Sequence, residues 1–238
     1  MEIFLIHNLC NKLTGKHLAR CAGLWYTKKD GSLGNGECWK TNTRMVGNLR
    51  ERSADCMTKI TIFSGFLGAG KTTLIKKLIA EAYTGEKLVL IENEFGQIGI
   101  DGGFLQDAGV EITEMNSGCI CCSLVGDFGK ALQQVLEQYH PDRILIEPSG
   151  VGKLSDVIVA VENTVKDVPD MKLNSFVTVA DATKVKVYMK NFGEFFNNQI
   201  ENAGTVVLSR TDITDTAKIQ KDVEMIREKN PKAAIVTT

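Results

Sequence analysis

The segment Gly65-Phe66-Leu67-Gly68-Ala69-Gly70-Lys71-Thr72 restricts what this chain can fold into more than any other part of it. It fits the pattern GxxxxGK[ST], with Thr73 directly after it. Glycines let the backbone turn tightly enough for successive N–H groups to point into one concavity. The helix that follows adds its positive end, so the loop becomes a cradle for phosphate. Lys71 is then placed to reach the β- and γ-phosphates, and Thr72 to give a hydroxyl to Mg²⁺. This works only between a buried strand and a helix. Ile60-Thr61-Ile62-Phe63 supplies the strand, and Leu74, Ile75, Leu78 and Ile79 supply one apolar helical face.

The same alternation continues down the chain. Strands are predicted at 88–91, 110–113, 143–146, 173–180, 205–208 and 233–236. Helices are expected over 123–139 and 182–199, and around Ile219, Val223 and Ile226. Short apolar strands alternating with amphipathic helices predict a three-layer α/β fold, a largely parallel sheet flanked by helices. Residues 1–56 show no such periodicity. They read as an unassigned, weakly ordered extension, and 57–238 as the nucleotide-binding domain, with Met57 a plausible natural start.

The chain has 238 residues, 43% hydrophobic and 24% charged, which suits one ordinary folded domain. Its net charge of −1 implies no general affinity for nucleic acid or acidic membranes, and neither is expected as a partner. No apolar run approaches the roughly 20 residues a membrane helix needs. A cytoplasmic location is expected.

Two loops after strands refine the chemistry. Glu147-Pro148-Ser149-Gly150 follows a strand that should end near the γ-phosphate. Glu147 is suited to organise Mg²⁺ through water, and Gly150 to offer its N–H to the γ-phosphate. Ser209-Arg210-Thr211-Asp212 follows another strand. A carboxylate at Asp212 can accept from both guanine N1–H and the exocyclic amine, a donor pair that adenine does not offer on that edge. Glu92 and Asp101 are acids that can hold Mg²⁺-bound water or share a metal site.

Seven cysteines stand at 10, 21, 38, 56, 119, 121 and 122. The odd number argues against a complete disulfide framework. Cys119, Cys121 and Cys122 lie within four residues, beside Gly118. Three thiolates there can bind Zn²⁺, Cu⁺ or a related soft-binding ion. Buried thiols and thiol redox chemistry remain the competing readings.

Together, GFLGAGKTT at 65–73, ENEFG at 92–96, Asp101, NSGCICC at 116–122, EPSG at 147–150 and SRTD at 209–212 resemble the CobW/HypB/UreG family of P-loop GTPases, especially its CobW-like metallochaperone branch. The resemblance spans about Thr58 to Thr238. It implies phosphate binding by residues 65–73, guanine selection by Ser209, Arg210 and Asp212, and metal binding by Cys119, Cys121 and Cys122, with Glu92 sharing the site. Magnesium would fall to Thr72, Asp101 and Glu147, and catalysis to Lys71, Thr72, Glu147 and Gly150. GTP, Mg²⁺ and Zn²⁺ are the implied ligands, with Co²⁺ or Ni²⁺ as other cargo. A client metalloenzyme or metal-insertion complex and a nucleotide-dependent homodimer are the implied partners. The chain departs from the family's pattern in three places. Gln97 stands where many relatives carry glutamate, Arg210 replaces the usual lysine, and these 238 residues are expected to be either a fragment or a short member without the usual C-terminal domain. The competing functions are a GTP-dependent protein-binding switch with structural cysteines, and an ATP-using kinase, against which the SRTD loop argues.

Overall fold

A computed structural model describes residues 57–92, 111–114 and 125–238. Seven strands appear in chain order: β1 (Thr58–Gly65), β2 (Leu88–Glu92), β3 (Glu111–Glu114), β4 (Arg143–Glu147), β5 (Met171–Asp181), β6 (Thr205–Ser209) and β7 (Ala234–Thr237). They form one sheet in the order β3-β2-β4-β1-β5-β6-β7. Every adjacent pair is parallel. Parallel strands need crossovers, and among the described connections helices supply them: α1 (Lys71–Glu81), α2 (Val125–Tyr139), α3 (Leu154–Asp167), α4 (Val185–Asn191), α5 (Gly193–Glu201) and α6 (Thr216–Lys229).

Both faces of the central sheet are covered, which is why β2, β4 and β6 read as near-unbroken apolar runs rather than alternating ones. Side chains still alternate between faces at the strand period. Ile60, Ile62, Val89, Ile91, Ile144 and Ile146 pack with Leu132 and Val135 of α2, Val157 and Val161 of α3, and Ile200 of α5. On the other face Phe63, Leu88, Leu90 and Leu145 pack with Ile75, Leu78 and Ile79 of α1. The three-layer fold expected from the sequence is the one observed.

Two helical regions differ from the sequence reading. Residues 154–167 form α3, a helix the sequence reading did not assign. The helix expected over 182–199 is two, α4 and α5, separated at Phe192, whose φ of −128° and ψ of 31° leave the helical region.

The central strand is β1, with β4 on one side and β5 on the other. Chain order reverses around it: β2 and β3 lie beyond β4, β6 and β7 beyond β5. In such sheets the crevice at the carboxyl ends of the strands, beside the reversal, is where ligands bind. The glycine-rich loop leaves β1 at that point.

Candidate nucleotide site

The loop's shape depends on particular glycines. A Cβ on Gly65 would lie 2.3 Å from the carbonyl oxygen of Val179 in β5, and the residue's φ is 145°. No larger residue fits there, because the obstacle is backbone. Gly68 and Gly70 take φ values of 70° and 99°, on the left-handed side that glycine reaches without penalty. The Ala69 N–H donates to the Phe66 carbonyl at 3.2 Å and closes the loop on itself. Gly70 then caps α1 without a side chain, and the helix has no acid in its first turn. The orphan N–H groups of that turn are thus left to an anion.

The non-glycine loop residues divide. Phe66 is buried among Tyr188, Phe192 and Phe196, with ring centroids 4.7, 4.8 and 6.3 Å away. Its side chain anchors the loop, so only its backbone is left for a nucleotide. Leu67 is 59% exposed and Ala69 is buried.

The three polar candidates of the phosphate end meet. The Thr72 hydroxyl lies 3.3 Å from each carboxylate oxygen of Glu147. The Lys71 ammonium is 3.7 Å from Glu147 Oε1. Glu147 and Lys71 are buried, Glu147 at the end of β4 and Lys71 at the start of α1. A hydroxyl and a carboxylate facing one another are hard oxygen donors, a set that suits Mg²⁺. Gly150, three residues on, crowds the cradle, since a Cβ there would lie 2.9 Å from the Leu67 nitrogen.

The loop after β6 is strapped to the cradle. Ser209 Oγ donates to the Ala69 carbonyl at 2.7 Å, and the Arg210 guanidinium donates to the Gly68 carbonyl at 3.0 Å. Arg210 also pairs with Asp181, a buried carboxylate at the end of β5. Burial pushes the Asp181 pKa up. Hydrogen bonds from the Thr183 hydroxyl and backbone, together with the Arg210 charge, outweigh that and hold it below the usual value. Arg210 itself has a φ of 59°, a left-handed conformation unusual for a long side chain. Thr211 hydrogen-bonds the Thr238 carbonyl through both its N–H and its hydroxyl, and Asp212 is exposed beside it.

Glu92 ends β2 in register with Glu147 of β4 on one side and Glu114 of β3 on the other. Asp101, Cys119, Cys121 and Cys122 lie outside the described residues, as do Gln97 and residues 1–56. Among the described residues no group of three or more His, Cys, Asp or Glu is arranged to hold a metal. No described helix is long and apolar enough to cross a membrane.

Asp181 escaped the sequence reading, though Val177-Thr178-Val179-Ala180-Asp181 carried a signal for it. An acid at the carboxyl end of a parallel strand, next to the crevice, is placed as ligand-site residues are in such sheets. Gln199, in the interior of α5, had no comparable signal.

A parallel sheet with a glycine-rich loop leaving its central strand, and Lys71 and Thr72 opening the next helix, defines a P-loop nucleotide-binding fold. The model of the CobW/HypB/UreG nucleotide-binding domain matches residues 59–237, and the chain belongs to that family. It is 32% identical over 188 residues to the zinc chaperone CobW of Sinorhizobium sp, covering 67% of this chain and 52% of that protein. To the zinc chaperone YjiA of Escherichia coli K12 it is 30% identical over 183 residues, covering 75% and 56%. The chain thus spans about half the length of the curated relatives it matches. Among solved structures, the Zn(II)-bound YjiA GTPase of E. coli shares the fold with a TM-score of 0.58 at 23% identity, over 76% of this chain and 57% of that one. The hydrogenase maturation factor HypB of Archaeoglobus fulgidus does so with a TM-score of 0.55 at 18% identity, over 77% and 82%.

Proposed function

We propose that this chain binds and hydrolyses GTP with Mg²⁺ and carries a transition-metal ion, Zn²⁺ first, for delivery to a client metalloprotein. The observation that carries the hydrolytic half is the meeting of Thr72, Lys71 and Glu147 at the open end of the cradle. Backbone N–H groups of residues 65–73 bind the phosphates, and Lys71 steadies the charge between β and γ. Thr72 and Glu147, with Asp101, would hold Mg²⁺, which when bound neutralises charge on the phosphate oxygens. Gly150 offers its N–H to the γ-phosphate, beside Leu67. Asp212 selects guanine, while Ser209 and Arg210 fix the base loop against the phosphate loop.

The metal half rests on Cys119, Cys121 and Cys122, with Glu92 as a further ligand, and on relatives named as zinc chaperones. Strand β3 brings the chain to Glu114, on the same sheet edge as Glu92 and Glu147, five positions before Cys119. That placement supports coupling between the nucleotide and the thiolates. Co²⁺ and Ni²⁺ are the other cargo this chemistry admits.

The exposed Leu67 and Val151 border the cradle and favour a second reading, a nucleotide-dependent surface for a client or a second copy of the chain. One titration separates the two. Metal stoichiometry and affinity are measured with GTPγS, GDP and no nucleotide, on the parent and on Cys121→Ser. One tight ion per chain, lost in the variant and changing affinity with nucleotide, is expected. Equal metal affinity in all nucleotide states refutes the coupling, and no specific metal binding leaves the protein-binding switch. Faster turnover of ATP than GTP refutes the guanine assignment.

A further inference from the structure

Gln199 is fully buried in α5, and its side chain spends both amide hydrogens on a single loop. Nε2 donates to the Gly150 carbonyl at 3.0 Å and to the Gly152 carbonyl at 2.9 Å. Because both partners are carbonyl oxygens, the donor end of the amide must face them. Its Oε1 has no hydrogen-bond partner among the described residues. A buried glutamine that leaves its acceptor unused is held in place for its donors.

The loop it grips is a tight turn. The Gly152 N–H donates to the Ser149 carbonyl at 2.9 Å. The Ser149–Gly150 peptide is trans, so the Gly150 N–H points to the opposite side from that carbonyl, out of the turn. The turn and Gln199 together therefore set the direction of the Gly150 N–H. Neighbours on α5 secure the rest of the loop. Asn198 accepts from the Ser155 N–H at 3.2 Å and donates to its hydroxyl at 3.0 Å, and Glu194 pairs with Lys153 at 2.9 Å. The helix is itself fixed to the sheet by Thr178, whose hydroxyl donates to the Gln199 carbonyl at 2.7 Å. On the same helix, Phe196 packs edge-on against Phe66 of the phosphate cradle. One helix thus backs both loops that face the phosphates.

We propose that Gln199 is a positioning residue for γ-phosphate recognition, holding the 149–152 turn so that the Gly150 N–H is aimed before nucleotide binds. The proposal rests on the reading that Gly150 contacts the γ-phosphate. A pre-aimed donor spares the reordering that a free loop would undergo in each turnover. The part of affinity that distinguishes GTP from GDP therefore passes through a residue that touches neither.

Gln199→Met keeps the length of the side chain and removes both donors. Its GDP affinity should stay within about twofold of the parent, while GTPγS affinity and kcat each fall about tenfold. A merely structural glutamine would move stability and leave the ratio of GTPγS to GDP affinity alone. An unchanged ratio together with unchanged kcat overturns the proposal. Gly150→Ala keeps the N–H but its Cβ would meet the Leu67 backbone at 2.9 Å and shift the turn; measured in parallel, with GDP affinity as the control on the cradle itself, it separates the two ideas. A changed ratio there with none in Gln199→Met leaves the Gly150 contact standing and removes the positioning role. No change in either variant removes both. Hydrogen exchange on the unmutated protein gives a readout independent of how the variants fold. The Gly152 amide should be protected with GDP and with GTPγS alike, and free exchange with either one refutes a turn held in advance.

Discussion

Replacing Arg210 with alanine tests whether the base loop and the phosphate loop act as one unit. The arginine contributes two charge-assisted contacts, one to the buried Asp181 carboxylate and one to the Gly68 carbonyl. Buried contacts of this kind are worth about 1.5–3 kcal/mol each. The Arg210 side chain is 43% exposed, however, so water screens it and the expected loss falls to about 1–2 kcal/mol in total. Asp181 keeps the Thr183 N–H at 2.8 Å and its hydroxyl at 2.6 Å, so the remaining carboxylate is not left bare. For a chain of this size that loss lowers Tm by about 3–6 °C. The pH dependence has a definite sign. A carboxyl held below its ordinary pKa contributes stability above the unfolded-state value near 4, and that contribution is lost as pH falls through the folded-state value. Removing Arg210 raises the folded-state value and shrinks the contribution, so parent and variant melts should differ most at pH 6–7, and the difference should shrink toward what the Gly68 contact contributes as pH falls through the folded-state value. GDP affinity should fall by about tenfold, since the loop carrying Asp212 loses one of its two ties to the cradle. A variant that melts within 1 °C of the parent at pH 7, by a criterion set at roughly the smallest resolvable shift, and binds GDP equally well refutes this account.

Gly65→Ala places a methyl group on the Val179 backbone and should cost more than about 3 kcal/mol, seen as a large drop in urea midpoint or as insoluble protein. Glu147→Gln keeps the shape but removes the charge facing Thr72 and Lys71; kcat for GTP should fall about a hundredfold, with a higher Mg²⁺ requirement and a Tm within a few degrees of the parent. Asn230→Ala should destabilise the fold by about 2–4 kcal/mol while leaving nucleotide affinity unchanged. Its amide donates to the carbonyls of Ile200, Glu201 and Ala203, and its oxygen accepts from Lys232 and Ala233, all away from the cradle.

The sheet was legible because β2, β4 and β6 are near-continuous apolar runs with both faces covered, and the glycine-rich loop required its strand and helix. Helix α3 was not legible for a local reason. Its Val157-Ile158-Val159 run is β-branched, its N-cap at Lys153 carries no side-chain cap, and neither marks a helix start. The helical signal is nevertheless there, in Leu154, Val157, Ala160, Val161 and Thr164, the positions that prove buried. The break between α4 and α5 follows the Phe192-Gly193 step, where glycine weakens a helix and Phe192 turns to pack on Phe66. Lys71, Thr72 and Glu147, which meet in the structure, could be singled out from the spacing of their motifs. Asp181 and Gln199 belong to no motif, and their importance comes from what the fold sets beside them, a guanidinium in one case and two backbone carbonyls in the other.

The alignment of Glu147, Glu92 and Glu114 across three neighbouring strands makes the sheet a ruler. Hydrogen-bonded strands keep a spacing of about 4.8 Å, so the ends of β4 and β3 are held roughly 10 Å apart, and neither can drift toward the other. At that distance two unit charges interact by about 1.7 kcal/mol at an effective dielectric constant near 20. A divalent ion arriving at the end of β3 would therefore be felt at Glu147 without any strand moving. Loss of one negative charge from the phosphate side would be felt in return. Under the proposed function, metal and nucleotide would then report on each other through the field across a rigid gap, a signal that added salt should attenuate.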